Sequence, residues 1–208
     1  MISAEVLMPF VAYLLGSIPV GWIVARLFFK TDIRKTGSGN IGATNALRQF
    51  GTTVGVLVLL LDMAKGITAV LLAKGIYEIG HPLIAICGLL AILGHVFPVW
   101  LKFKGGKGVA TAAGVYIALT PWSIPIVLMI FIIIVAITRY VSLGSIIAAL
   151  SLLALNGYKV LSSETKDYAL LILVFLVVVM IIYKHKENIS RLRNGKENKI
   201  TFTKRGKA

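Results

Sequence analysis

Residues 52–73 read TTVGVLVLLLDMAKGITAVLLA. A helix of about 20 mostly apolar residues crosses the hydrocarbon layer of a bilayer, and this stretch meets that requirement. It carries two ionisable residues, Asp62 and Lys65, at i and i+3 on one helix face. Charges at such depth are costly and turn toward a bundle interior or a watery cavity. Two readings of the pair stand, a mutually neutralised structural pair or part of a site or pathway. Working outward, further apolar runs lie at 4–29, 82–98, 109–120, 122–138, 143–158 and 167–183. The run 82–98 is short and ends in Pro98, and 109–120 is shorter still and stops at Pro121, since proline cannot continue a helix without cost. Each of these two is expected to be tilted, partial or shielded by neighbours. The expected fold is all-α: a polytopic membrane protein of seven transmembrane helices, some short or partial, in a single domain over 1–208.

Composition agrees. The 208 residues are 58% apolar and only 14% charged, with a mean hydropathy of +0.90. A soluble domain has roughly 45–50% apolar and about 25% charged residues, and a disordered chain is poor in apolar residues. The single cysteine, Cys87, excludes a disulfide framework within the chain. No basic residue precedes Arg26 and no small-residue cleavage site follows a short apolar core, so the first run is expected to be a retained span.

The charge, +14, is unevenly placed. With seven spans the loops fall into two sets, one holding 18 basic residues and the other three, Lys74, Lys159 and Lys166. Basic residues accumulate on the cytoplasmic side, which puts the amino terminus outside and the carboxyl terminus in the cytoplasm. The last ten residues, 199–208, are expected to be a solvated basic tail against anionic headgroups. A nucleic-acid partner is disfavoured, because the basic residues are divided among short loops between spans.

Three polar clusters share the basic side. The first, TGSGNIGATNALR over residues 36–48, spells G-x-G-x-x-G with Gly37, Gly39 and Gly42. A dinucleotide site would need a preceding buried strand, and a transmembrane run precedes it instead. Glycines let consecutive N–H groups converge on an anion, and a helix start adds partial positive charge. Ser38, Asn40, Thr44 and Asn45 offer short hydrogen-bonding side chains, and Arg48 a fork suited to phosphate. A capped loop leading into the next span explains the same residues equally well. The second cluster, KGGKG over residues 104–108, sets Lys104 and Lys107 around an unobstructed Gly105–Gly106 backbone. It lacks the spacing of a nucleotide-hydrolysing P-loop. In the third, HKENISRL over 185–192, His185, Asn188 and Leu192 recur on one helical face. No Cys/His cluster has metal-ligand spacing, so neither metal nor cofactor is expected. Together the clusters describe a cationic pocket for a phosphate-bearing anion, walled by apolar helices that admit a lipid-like group.

The segments SGNIGATN (38–45) with Arg48, GH (94–95) through FKGGKGVAT (103–111), and HKENISRL (185–192) with Gly195 resemble the bacterial acyl-phosphate-dependent glycerol-3-phosphate acyltransferases. Asp62-Met-Ala-Lys-Gly66 resembles that family's second-helix segment. The resemblance implies a seven-helix enzyme of the bacterial inner membrane with its active site facing the cytoplasm. Its expected substrates are glycerol 3-phosphate and acyl phosphate, and its products lysophosphatidic acid and inorganic phosphate. Ser38, Arg48, Lys104 and His185 are the expected catalytic residues. Gly39, Asn40, Thr44, Asn45, Gly105, Gly106, Lys107, Glu187 and Asn188 are expected to join them in binding substrate. The Ser38–Asn40 and Gly105–Gly106 backbones would donate N–H groups to phosphate. For the proton of the attacking hydroxyl, either His185 oriented by Glu187, or a substrate phosphate, is the acceptor. The His-x-x-x-x-Asp pair of thioester-dependent acyltransferases is absent, since Ile86, Trp100 and Ser190 stand five residues after the three histidines.

A transporter of phosphate or a phosphorylated metabolite is the alternative reading. It predicts a midplane site and matching halves, and no internal symmetry is visible. Phosphatidyl transfer on a metal would need clustered acids, which eight scattered Asp and Glu residues do not supply. Oligomeric state stays open, because Gly51 and Gly55 serve contacts within one chain as well as between two.

Overall fold

The computed structural model describes residues 3–200. Among them there are ten α-helices and no strand. These are α1 (Ala4–Ser17), α2 (Val20–Phe29), α3 (Ala43–Phe50), α4 (Thr52–Lys74), α5 (Pro82–Val96), α6 (Val109–Leu119), α7 (Ile124–Thr138), α8 (Val141–Ser162), α9 (Tyr168–Lys184) and α10 (Lys186–Arg193).

All seven expected runs are helical, but their lengths do not give seven independent crossings. Among the described residues only α4, α8 and the segment Pro82–Leu101 are long and apolar enough to span alone. Helices α1 and α2 reach that length as a pair bent by 40°, and α9 and α10 as a pair bent by 55°. By length and composition the described residues hold three to five candidate spans, with α6 and α7 as shorter apolar helices besides. The run 4–29 breaks at Ile18-Pro19, where proline supplies no backbone N–H to continue the helix. The run 122–138 begins late, because Thr120–Ser123 forms a hydrogen-bonded turn and leaves α7 with 15 residues. Helix α6 has 11. Helix α10 is strongly polar, KENISRLR, so α9 is the apolar part of its pair.

Glycines allow the closest helix contacts. A Cβ at Gly16 would lie 2.0 Å from Ala91 O, and one at Gly94 2.3 Å from Tyr13 O, so α1 and α5 touch backbone to backbone. Gly66 and Gly114 do the same for α4 and α6. Such close approach is how helices associate in a bilayer, where apolar surface gains nothing by leaving lipid for protein. Gly55 is used within the chain, since its Cβ would strike Leu47 of α3. Helix α7 has no buried residue, and Leu128, Met129, Ile132, Ile133 and Ile137 are exposed, the surface expected against lipid tails.

A second, smaller core of Val20, Val24, Ala25, Ile33, Ile41, Ala46, Val58 and Leu101 lies at one end of the bundle. It pins the 30–42 loop to α2, α3 and α4, and so sets the position of the first polar cluster. In the expected tail, Ile200 is buried and its N–H donates to Arg139 O at 2.8 Å. Solvation thus fails as a description of that residue, and 201–208 lie outside the described residues.

Candidate active site

The first cluster is a scaffold wrapped around one side chain. Asn45, 2% exposed, accepts from Ser38 N at 3.0 Å through Oδ1. Its Nδ2 donates to the carbonyls of Ile33, Thr36 and Asn40. Asn45 therefore holds the loop, with its side-chain amide bonded within the protein. Gly37 and Gly39 have φ of +57° and +70°, a left-handed backbone that costs other residues about 1–2 kcal/mol. The expected loop amides are largely spent: Ser38 N on Asn45, and Gly39 N on Thr36 O at 3.0 Å. The same holds in the second cluster, where Gly105 N donates to Val96 O and Gly106 N to His95 O. Those glycines are there for space. A Cβ on Gly106 would sit 2.1 Å from His95 Nε2, and one on Gly105 2.2 Å from His95 O.

Both loops, and α10, border one cavity of about 160 Å³. Of the residues singled out in the sequence, Ser38, Asn40, Thr44, Arg48, Lys107, His185 and Asn188 line it. Gly39, Asn45, Lys104, Gly105, Gly106 and Glu187 do not. Lys104 is exposed, so the structure separates the two lysines of KGGKG and brings only Lys107 inward. In place of the loop amides, two helix starts meet the cavity. Ala43 and Thr44 open α3, and Val109 and Ala110 open α6, and all four line it. First-turn N–H groups have no carbonyl one turn back to satisfy them, and they carry the positive end of the helix dipole.

Cations crowd the same wall. Arg48 is half-buried; its Nη2 donates to Asn198 O at 2.9 Å, while its buried Nε has no partner among the described residues. A guanidinium N–H left unsatisfied in this way is a ready donor to an anion. The Lys107 ammonium donates to Asn188 Oδ1, and burial pushes its pKa down to about 8. Asn188 in turn donates to Glu197 Oε1 at 2.7 Å, Ser142 to the same oxygen at 2.9 Å, and Arg191 Nε to Oε2 at 2.8 Å. Burial alone would raise the Glu197 carboxyl, yet these donors outweigh it and hold it below the ordinary carboxylate range. Glu197 is thus a buried anion that fastens the chain after α10 across the cationic wall.

His185 sits just past the end of α9. Its Nδ1 lies 2.8 Å from Ile181 O. A carbonyl only accepts, so Nδ1 carries the proton and Nε2 has the lone pair. Burial, then the nearby Lys107 charge, lower its pKa to about 4, which makes the ring neutral at pH 7. The sequence expectation that Glu187 orients it is not met: that side chain is 79% exposed and points to Arg191.

Asp62 and Lys65 form a three-membered group with His95 that the sequence did not reveal. Lys65 Nζ lies 2.8 Å from Asp62 Oδ1, 2.9 Å from His95 Nδ1 and 3.0 Å from Ile18 O at the α1–α2 break. Asp62 and His95 border the cavity, and all three residues are buried. The ammonium thereby ties the broken span to α4 and α5 directly beneath the cationic wall. Ser142, Arg191 and Glu197 were likewise missed. The available signal was Glu197 itself, an acid two residues after Gly195 in an otherwise basic stretch. No cluster of three metal-ligating side chains occurs among the described residues.

Residues 6–195 match the protein family described as glycerol-3-phosphate acyltransferase. The chain belongs to that family. The glycerol-3-phosphate acyltransferase of Geobacter sulfurreducens is 48% identical over 94% of this chain and 97% of its own. That of Syntrophomonas wolfei is 46% identical over 91% and 93%. A crystal structure of PlsY, an integral membrane glycerol 3-phosphate acyltransferase, in its glycerol 3-phosphate form superposes with a TM-score of 0.88. It is 38% identical, covering 96% of each chain. Its lysophosphatidic acid form gives 0.86 at 37% identity, over 96% of this chain and 97% of that one. Membership in this acyltransferase family accounts for a cationic cavity inside a membrane bundle.

Proposed function

We propose that this protein transfers a fatty acyl group from acyl phosphate to the 1-hydroxyl of glycerol 3-phosphate, giving lysophosphatidic acid and inorganic phosphate. The observation that carries the reading is the convergence of Arg48, Lys107 and two helix starts on one cavity that adjoins apolar grooves. Two phosphates brought together repel unless cations and N–H donors neutralise them, and holding them aligned supplies much of the catalysis. Arg48 and Lys107 are the residues assigned to phosphate, with Ser38, Asn40 and Thr44 as hydroxyl and amide partners. The α3 and α6 first-turn amides are assigned to the oxyanion, where one donor is commonly worth about 2.7–4 kcal/mol.

In the reaction the hydroxyl oxygen bonds to the acyl carbon, the carbon–oxygen bond to phosphate breaks, and phosphate departs with the electron pair. The hydroxyl proton needs an acceptor. Burial and the Lys107 charge keep His185 neutral and make it a weak base for an alcohol, so we assign the proton to a substrate phosphate oxygen and give His185 the holding of the hydroxyl through Nε2. His185→Ala tests this. Loss of glycerol 3-phosphate affinity with a maintained maximal rate fits an orienting role, and loss of the rate at saturation restores His185 as the base.

The excess of basic residues in one set of loops supports a cavity facing the cytoplasm from a bacterial inner membrane, with seven membrane segments, the short α6 and α7 among them, and an external amino terminus. Purified protein given glycerol 3-phosphate with acyl phosphate or acyl-coenzyme A decides the donor. Stoichiometric inorganic phosphate and lysophosphatidic acid from the first supports the assignment; product from the thioester alone removes it.

A further inference from the structure

The hydrogen bonds within the buried trio of Asp62, Lys65 and His95 decide what the trio presents to the cavity. An ammonium has three N–H bonds and no lone pair. Lys65 Nζ has three acceptors within reach, Asp62 Oδ1 at 2.8 Å, His95 Nδ1 at 2.9 Å and Ile18 O at 3.0 Å. Facing an ammonium at that distance, Nδ1 is the accepting nitrogen of the ring, and Nε2 carries the ring proton. His95 is 4% exposed and borders the cavity. Its main chain is fixed as well, since its carbonyl accepts from Gly106 N at 3.1 Å. A Cβ on Gly106 would sit 2.1 Å from His95 Nε2, so glycine at 106 leaves room at that nitrogen. The next residue is Lys107, which lines the same cavity.

We infer that His95 donates from Nε2 to a substrate phosphate oxygen in the cavity, and that Lys65 is the positioning residue that keeps the proton on that nitrogen. This rests on the acyltransferase reading above. Nδ1 is spent within the trio, so Nε2 is the ring nitrogen left for a ligand, and an N–H donor suits an anion. Arg48 and Lys107 draw phosphate in by charge, and a fixed N–H adds direction. Without Lys65, the Asp62 carboxylate, 3.4 Å from Nδ1, becomes the partner of that nitrogen. The proton then moves to Nδ1, and Nε2 turns a lone pair toward the phosphate.

The test measures glycerol 3-phosphate binding by calorimetry and the KM for acyl phosphate in the wild type, His95→Phe and His95→Gln. His95→Phe fills the ring's space without a donor and is expected to weaken one substrate about tenfold to a hundredfold, the range for a hydrogen bond to a charged group. His95→Gln, with an acceptor and an N–H on one planar group, is expected to recover most of that loss. Weakened calorimetric binding assigns the phosphate to glycerol 3-phosphate, and a raised KM for acyl phosphate alone assigns it to the donor. Nitrogen NMR of histidine-labelled protein reads the tautomer directly and needs no variant for the wild-type form beyond the assignment by His95→Gln. The Nε2–H tautomer is expected in the wild type and the Nδ1–H tautomer in Lys65→Met, a change that loss of packing alone would not produce. The inference is overturned by an Nδ1–H tautomer in the wild type, by a His95→Phe protein that handles both substrates normally, or by His95→Gln faring no better than His95→Phe. An Nε2–H tautomer kept in Lys65→Met removes the role given to Lys65. A wild type that binds no glycerol 3-phosphate would instead remove the acyltransferase reading itself.

Discussion

The loops at 36–42 and 102–108 border the same cavity and share a vocabulary of glycine and basic or short polar residues, yet their glycines serve different ends. Gly39 is needed for its backbone angle, and Gly37 both for its angle and because a Cβ there would lie 2.3 Å from Asn45 Oδ1, so that the chain can circle Asn45. Gly105 and Gly106 are needed for their missing side chains, because the His95 ring and carbonyl occupy that space. In both loops most of the expected phosphate-binding amides are already bonded within the protein. The loops thus act as mounts. One delivers the start of α3 and Arg48, the other the start of α6 and Lys107, and the anion site is assembled from what they carry.

If that division is right, the largest losses come from the delivered groups. Lys107→Ala and Arg48→Ala should each lower kcat/KM for glycerol 3-phosphate about a hundredfold or more, on the scale of removing a transition-state donor, while thermal stability of the detergent-purified protein is retained. Next come the mounts. Gly106→Ala forces a methyl group against a buried ring and should cost about 1–3 kcal/mol of stability, together with activity. Gly39→Ala should cost about 1 kcal/mol through backbone strain. A Gly106→Ala protein as stable as the wild type would erase the proposed need for space at that position.

The pH profile sharpens the comparison further. Lys107 has a pKa near 8 in the free protein, below the ordinary lysine value, so its positive charge is lost as pH rises through that region. The kcat/KM for glycerol 3-phosphate should fall on the alkaline side with a limb near pH 8. In Lys107→Arg the limb should move to higher pH, since arginine keeps its proton. An unmoved limb would assign it to another group. The smallest effect is expected at Lys104→Ala, within about twofold, because that side chain points to solvent; a hundredfold loss there would restore it to the cavity.

Much of this arrangement was legible from residue order. Long apolar runs, the lopsided placement of basic residues and three polar clusters on one side gave the helical segments and the site's neighbourhood. Pairwise contacts between clusters were not legible, because no local pattern records them. His95 appeared as one residue of a motif, although its ring meets Asp62 and Lys65 from another helix. Glu197 looked like part of a basic tail, although it gathers Ser142, Asn188 and Arg191. Lys104 and Lys107 differ by one turn of a short loop whose course depends on where Pro98 and His95 lie. Helix boundaries were not legible for a related reason. Residues 122–123 are spent on a hydrogen-bonded turn and Pro19 on a break, and apolarity marks neither.

The central claim is that Lys107, with Arg48 and the two helix starts, forms the phosphate seat. Calorimetric titration of glycerol 3-phosphate into the purified protein, beside Lys107→Ala and Lys104→Ala, tests it most directly. The account predicts one saturable site in the wild type and in Lys104→Ala, weakened about a hundredfold in Lys107→Ala. Undiminished binding in Lys107→Ala would contradict it.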